Sequence, residues 1–106
     1  MEGERYFKTE GNVLFKDDTT LTWGPFYFHS FDNAKAKMNE IMQWIIDWVN
    51  KKEHSLNIQP KNIRRTKDEK QIIFDIKTRK YDDDELENCG VLINVEDIFF
   101  EDEKGE

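Results

Sequence analysis

The sequence predicts an α+β fold, in which a single helix packs on a mostly antiparallel sheet of four to six strands in the order ββ(β)-α-ββ(β). One long segment has apolar residues at helical spacing, while the segments before and after it have the composition and alternation of strands. A chain of 106 residues is long enough for one hydrophobic core. We therefore predict a single domain over residues 1–100, followed by a flexible acidic tail over 101–106.

The segment before the helix predicts two or three strands. "RYFKTEGNVLFK" at 5–16 has strand composition interrupted by Gly11, and "DDTT" at 17–20 predicts a turn. "LTWGPFYFHSF" at 21–31 is the most aromatic stretch of the chain. Because Gly24 and Pro25 interrupt it, this stretch predicts either two short strands or one kinked edge strand.

The helix is predicted over residues 32–52, with Asp32 or Ser30 as its N-cap. Its apolar arc is roughly 200° wide, about twice what a surface helix needs. Either the helix sits deep in the concave face of a curled sheet, or the rim of the arc, at Trp44 or Ile46, contacts a second chain. The centre of the arc is predicted to be core and is formed by Ala34, Met38, Ile41, Ile45 and Trp48.

Two or three strands are predicted after the helix. Residues 62–66 and 71–81 are strand candidates joined by a turn, and in the second of these Ile72, Phe74 and Ile76 alternate with exposed positions. Residues 82–90 are predicted as a loop. The last strand, 91–100, loses its alternation at Glu96-Asp97, which indicates a β-bulge.

Charge is unevenly distributed along the chain, whose net charge is −7. Residues 51–81 carry 10 basic and 4 acidic groups, net +6, and residues 82–106 carry 1 basic and 11 acidic groups, net −10. We expect adjacent strands from these segments to neutralise each other. If they do not, the basic segment is an alternative nucleic-acid surface, formed by Arg64, Arg65, Lys67, Arg79 and Lys80.

The residues that usually carry chemistry do not form a known pattern. The acidic run beginning at Asp82 lacks the ligand spacing of an EF-hand, and His29, His54 and Cys89 are too scattered for zinc. Phosphate-binding and nucleophile-elbow motifs do not occur. The sequence thus predicts a protein that is not an enzyme and uses no cofactor or metal. The single cysteine and the lack of a leader or long apolar run predict a cytoplasmic protein without a membrane span.

These observations favour a non-catalytic protein-binding module, such as a small acidic inhibitor, an immunity-type protein or an accessory protein acting by surface complementarity. The acidic balance favours a basic protein as partner, with a homodimer as an alternative and nucleic acid disfavoured. A small ligand-binding or enzymatic domain with a pocket between helix and sheet is the remaining alternative. The predicted partner-binding residues are Trp44, Ile46, Tyr27, Asp82, Asp83 and Asp84.

Overall fold

A computed structural model describes residues 4–54 and 57–100. It confirms the predicted α+β fold: one helix packs on a five-stranded antiparallel sheet with strand order β2-β1-β5-β4-β3. The predicted acidic tail lies outside the described residues. The elements are β1 (Glu4–Leu14), β2 (Thr20–Phe28), α1 (Phe31–Lys52), β3 (Lys61–Arg65), β4 (Gln71–Thr78) and β5 (Glu87–Phe100).

Strand β1 pairs along its whole length with β5 in the middle of the sheet. Their register runs without a shift from Glu4 opposite Phe100 to Leu14 opposite Gly90, so the bulge predicted at Glu96-Asp97 is wrong. Asp97 keeps the alternation and lies on the same face as Val95. A carboxylate is accommodated on this face because it accepts hydrogen bonds from Arg5, at 3.0 Å, and Lys70, at 3.2 Å.

Both edges of the sheet are irregular. The edge strand β2 is continuous through the cis Gly24–Pro25 peptide bond, and its register with β1 shifts between Thr9 and Gly11. It is therefore one kinked edge strand. At the other edge, β3 contains Asn62 at φ 57° and a register shift between Lys61 and Arg64. Irregular edges with proline and charged side chains oppose the addition of a further strand.

The helix is capped by Ser30, whose hydroxyl accepts a hydrogen bond from the Asn33 amide at 3.2 Å. Its buried stripe differs from the predicted one at a single position, because Val49 is fully buried and Trp48 is only half buried. Trp48 is turned toward β2, where its ring lies 5.4 Å from that of Trp23. The stripe comprises Ala34, Met38, Ile41, Ile45 and Val49.

Only one face of the sheet is covered by the helix. The other face has no second described element over it, as is common for antiparallel sheets, and we call it the uncovered face. Alternation along each strand assigns the side chains to the two faces. Those that meet the helix include Val13, Ile72, Phe74, Ile76, Val91 and Ile93.

Two glycines on neighbouring strands differ in what surrounds them. A Cβ added at Gly11 would lie 2.6 Å from the Cγ2 atom of buried Ile41, whereas a Cβ at Gly90 would meet nothing within 4 Å. We expect Gly11→Ala to lower the free energy of unfolding by about 1–3 kcal/mol through overpacking. Gly90→Ala should raise it by about 0.4–1 kcal/mol, because alanine restricts the unfolded chain without a clash in the fold. Urea denaturation of both variants measures this difference, and equal effects would contradict the assigned faces.

Candidate functional site

The two helix residues predicted to bind a partner lie on opposite flanks of α1. Trp44 packs edge-to-face on Phe26 of β2, with ring centroids 5.9 Å apart. The Nζ atom of Lys37 lies 4.9 Å from the Trp44 ring and 4.8 Å from the Phe26 ring. Ile46 lies about 200° further around the helix and packs against the other side of the core. Trp44 and Ile46 therefore do not form one surface.

The other four predicted partner-binding residues lie elsewhere. Tyr27 is 55% exposed and lies on the uncovered face, opposite Lys8 in the β1–β2 register. Asp82 and Asp83 are exposed in the loop between β4 and β5, and their carboxylates make no hydrogen bond or ion pair within the described chain. Asp84, in the same loop, is half buried, and its carbonyl accepts a hydrogen bond from Arg79 at 2.9 Å.

The basic residues do not form one continuous surface either. Arg65 donates to Asn39 of the helix at 3.3 Å, on the covered side of the sheet, while Arg64 lies on the uncovered face. Lys67 is exposed in the β3–β4 turn, and Arg79 and Lys80 form ion pairs near the C-terminal end of the helix and the β1–β2 turn. The ion pair between Lys70 and Asp97 links the basic segment 51–81 to the acidic segment 82–106. The acids that pair with Arg79 and Lys80 lie outside that acidic segment.

The ion pair between Arg79 and Glu53 fixes the β4–β5 loop to the end of the helix. The Glu53 side chain is 2% exposed and accepts two hydrogen bonds from the guanidinium, at 2.8 and 3.3 Å. Lys52 also donates to the Arg79 carbonyl. Nearby, hydrogen bonds from Thr19 and Lys80 lower the pKa of Asp17 to about 2. These contacts hold together the end of the molecule at which the uncovered face carries a concave feature.

That feature is a depression of about 410 Å³ in the uncovered face, centred on Gly90. Three outward-facing apolar side chains surround it: Leu14, which is 48% exposed, Leu92, which is 37% exposed, and half-buried Ile73. Because Gly90 has no side chain, the layer of outward-facing side chains has a gap between them. Polar groups of Asn12, Thr20, Arg64 and Asp75 form the rim. We call this the Gly90 depression.

Sequence reasoning missed the Gly90 depression. Leu92 lies between the inward-facing Val91 and Ile93, so its outward direction could be predicted once the strand was assigned. Leu14 is distant in sequence, however, and reaches this point only through the register that places it opposite Gly90. The signal that was available is an apolar residue at an outward position next to a glycine in a strand.

A second, smaller cleft of about 220 Å³ lies between the helix and the β3–β4 turn. Its two cations already have partners, since Lys35 pairs with Glu69 at 3.0 Å and Arg65 donates to Asn39. The Glu69 carboxylate raises the pKa of Lys35. Both cations of the cleft are therefore engaged by other side chains of the cleft itself.

Reactive side chains are not grouped in the parts of the chain that the structure describes. Burial raises the pKa of the Cys89 thiol, which lies in the core. His29 is exposed, with its ring 4.6 Å from that of Tyr6. Across residues 4–54 and 57–100, no three His, Cys, Asp or Glu side chains are placed to hold a metal ion. No helix in these ranges is long and apolar enough to span a membrane.

No protein-family model matches the chain, and the comparisons with curated proteins and with solved structures found no match.

Proposed function

We propose that the chain is a non-catalytic protein-binding module, of the inhibitor or accessory type, which binds its partner with the uncovered face of its sheet. The observation that carries this proposal is the Gly90 depression, where Leu14, Leu92 and Ile73 surround a gap in the side chains of the uncovered face. A concave site with an apolar surround accepts an anchoring side chain, and such anchors supply much of the affinity of protein interfaces.

The depression lies on a rigid part of the sheet, which favours the binding of a partner. It spans β1, β5 and β4, which pair with one another over long registers and are held from the other side by the helix. A site on such a framework is already ordered before a partner arrives, so little conformational entropy is lost on binding. Removal of this exposed apolar surface from water also favours association.

The edges of the sheet support the same proposal. Strand addition is a common way for a sheet to bind a peptide, but it needs a regular, open edge. Here β2 contains Pro25, and β3 is interrupted at Asn62. A partner is therefore better accommodated on the uncovered face than at either edge.

The alternatives are less well supported by the geometry. Arg79 and Lys80 are engaged with Glu53 and Asp17, and no aromatic ring is exposed in the Gly90 depression for stacking on bases. Between helix and sheet, the space is largely filled by the buried apolar side chains of the core. These contacts favour a protein partner over a nucleic acid or a small ligand held between helix and sheet.

Affinity capture with matched variants tests the proposal. Tagged wild-type protein, Gly90→Leu and Gln43→Leu are incubated with extract of the source organism, and captured proteins are quantified by mass spectrometry. Gly90→Leu places a side chain in the depression, and its Cβ atom meets nothing within 4 Å. Gln43→Leu adds the same side chain to the exposed helix surface. We expect a specific protein that is captured by wild type and by Gln43→Leu but lost with Gly90→Leu. Capture that is insensitive to Gly90→Leu would contradict the proposed binding face.

A further inference from the structure

The charge beside the Gly90 depression has the opposite sign to that of the whole chain. Lys61 is opposite Asp75 in the β3–β4 register, Arg64 is opposite Ile73, and Lys77 lies two residues beyond Asp75, so all three extend from the uncovered face. None of the three makes an ion pair or side-chain hydrogen bond with residues 4–54 or 57–100. This side of the depression is positive, although the net charge of the protein is −7.

The carboxylate on this face offsets these cations only in part. Asp75 lies opposite Lys61 and accepts a hydrogen bond from the Asn62 side chain at 2.9 Å. It forms no ion pair in the described part of the chain, and it is one negative group among three positive ones. The exposed acids Asp82 and Asp83 are in the β4–β5 loop and bind none of the three cations.

We infer that the Gly90 depression binds a segment of a partner protein in which an apolar side chain is flanked by carboxylates. This inference rests on the proposed function and names the chemistry of the partner. The apolar side chain occupies the space above Gly90, between Leu14, Leu92 and Ile73. The carboxylates meet Arg64 at the rim and Lys61, which lies opposite the rim residue Asp75. The net charge of the chain predicts a basic partner, but the charge at the depression selects an acidic segment.

The sheet also sets the spacing within that segment. Arg64 on β3 is separated from Leu92 on β5 by one intervening strand, so their backbones are about 10 Å apart, which is two inter-strand distances. An extended peptide covers that distance in about three residues. We therefore expect an acidic residue about three positions from the apolar anchor.

The same charges disfavour two other occupants. A second copy whose β3 lay over β3 of the first, related by a two-fold axis, would bring the Lys61, Arg64 and Lys77 groups of both chains together. Like charges at an interface oppose association. A single-stranded nucleic acid would gain the phosphate contacts, but it would find aliphatic side chains in place of exposed rings for its bases.

Selection from a random peptide library identifies the segment. A displayed library is selected on wild-type protein and counter-selected on Gly90→Leu, whose fold is verified by circular dichroism. We expect the recovered peptides to share a Leu, Ile, Met or Phe with Asp or Glu about three residues away. Recovery of peptides rich in Lys or Arg, or without acidic enrichment, would overturn the inferred chemistry while the capture result still supports the binding face. If no recovered peptide depended on Gly90, the depression would not be a peptide site.

Direct binding of the best recovered peptide tests whether Lys61 and Arg64 contribute to its affinity. Fluorescence anisotropy compares wild type with the double variant Lys61→Ala, Arg64→Ala and with the control Lys51→Ala, Lys67→Ala, which removes two exposed cations elsewhere. We expect about fivefold to tenfold weaker binding for the first variant, as for two exposed charge contacts, and no comparable loss for the control. Equal losses would overturn the assignment of these cations.

A dimer in analytical ultracentrifugation that Gly90→Leu dissociates would identify the occupant as a second copy and overturn the inference. An oligonucleotide that competes with the peptide in an Arg64-dependent manner would overturn it in favour of nucleic acid.

Discussion

Replacing Arg79 with Met should lower the free energy of unfolding by about 3 kcal/mol. The substitution leaves the Glu53 carboxylate, 2% exposed, without its two hydrogen bonds from the guanidinium. Breaking a buried ion pair by removing one partner costs about 3–5 kcal/mol. We expect the lower end of that range, because the Arg79 side chain is 29% exposed. Urea denaturation measures the loss.

Lys80→Met is the matched control for Arg79→Met. It removes a cation from the neighbouring position, but the ion pair with Asp17 lies at the surface, where such pairs contribute about 0–1 kcal/mol. A Glu53→Met, Arg79→Met double variant should recover most of the stability lost in Arg79→Met, since no unpaired charge then remains buried. Equal losses from Arg79→Met and Lys80→Met would show that the pair does not hold the loop to the helix.

Trp44→Ala and Trp48→Ala should each lower the free energy of unfolding by about 3 kcal/mol. Each ring packs edge-to-face on an aromatic ring of β2, Trp44 on Phe26 and Trp48 on Trp23. Replacing a large core aromatic with alanine costs about 3–5 kcal/mol, and half-buried side chains belong at the lower end. Thermal and urea denaturation of the two variants should give similar losses.

Tyr27→Ala is the control for the tryptophan variants. Tyr27 lies on the same edge strand but points to the uncovered face, so its removal should change the stability by no more than about 0.5 kcal/mol. If Trp44→Ala were as mild as Tyr27→Ala, the Trp44 ring would not be holding β2 to the helix, and its prediction as a partner-binding residue would gain support.

The wide apolar arc of the helix shows what periodicity predicts and what it does not. The spacing of Ile41 and Ile45 places the helix and its buried face, because that signal lies within one segment. The arc is wide because one flank packs against β2 and the other against the far side of the core. Which strand the flank with Trp44 and Trp48 faces depends on the strand order, and strand order is not a local property of the sequence.

Strand pairing also explains why the start of β5 and the Gly90 depression were not predicted from the sequence. Strand β5 begins at Glu87 rather than at residue 91, since Glu87 and Asn88 pair with Thr78 and Lys77 of β4. Polar composition predicted a loop there, but the backbone ladder is extended by the neighbouring strand. The Gly90 depression depends on the same register, which brings Leu14 and Asp75 to opposite sides of Gly90.

Site-specific photocrosslinking tests the central claim, that the uncovered face contacts the partner, most directly. Benzoylphenylalanine replaces Thr20, at the rim of the Gly90 depression, or Gln43, on the exposed surface of the helix. After irradiation in extract of the source organism, we expect a discrete adduct from position 20 that disappears when Gly90→Leu is added, and no such adduct from position 43. An adduct formed at position 43 instead, or one at position 20 that persists with Gly90→Leu, would contradict the claim.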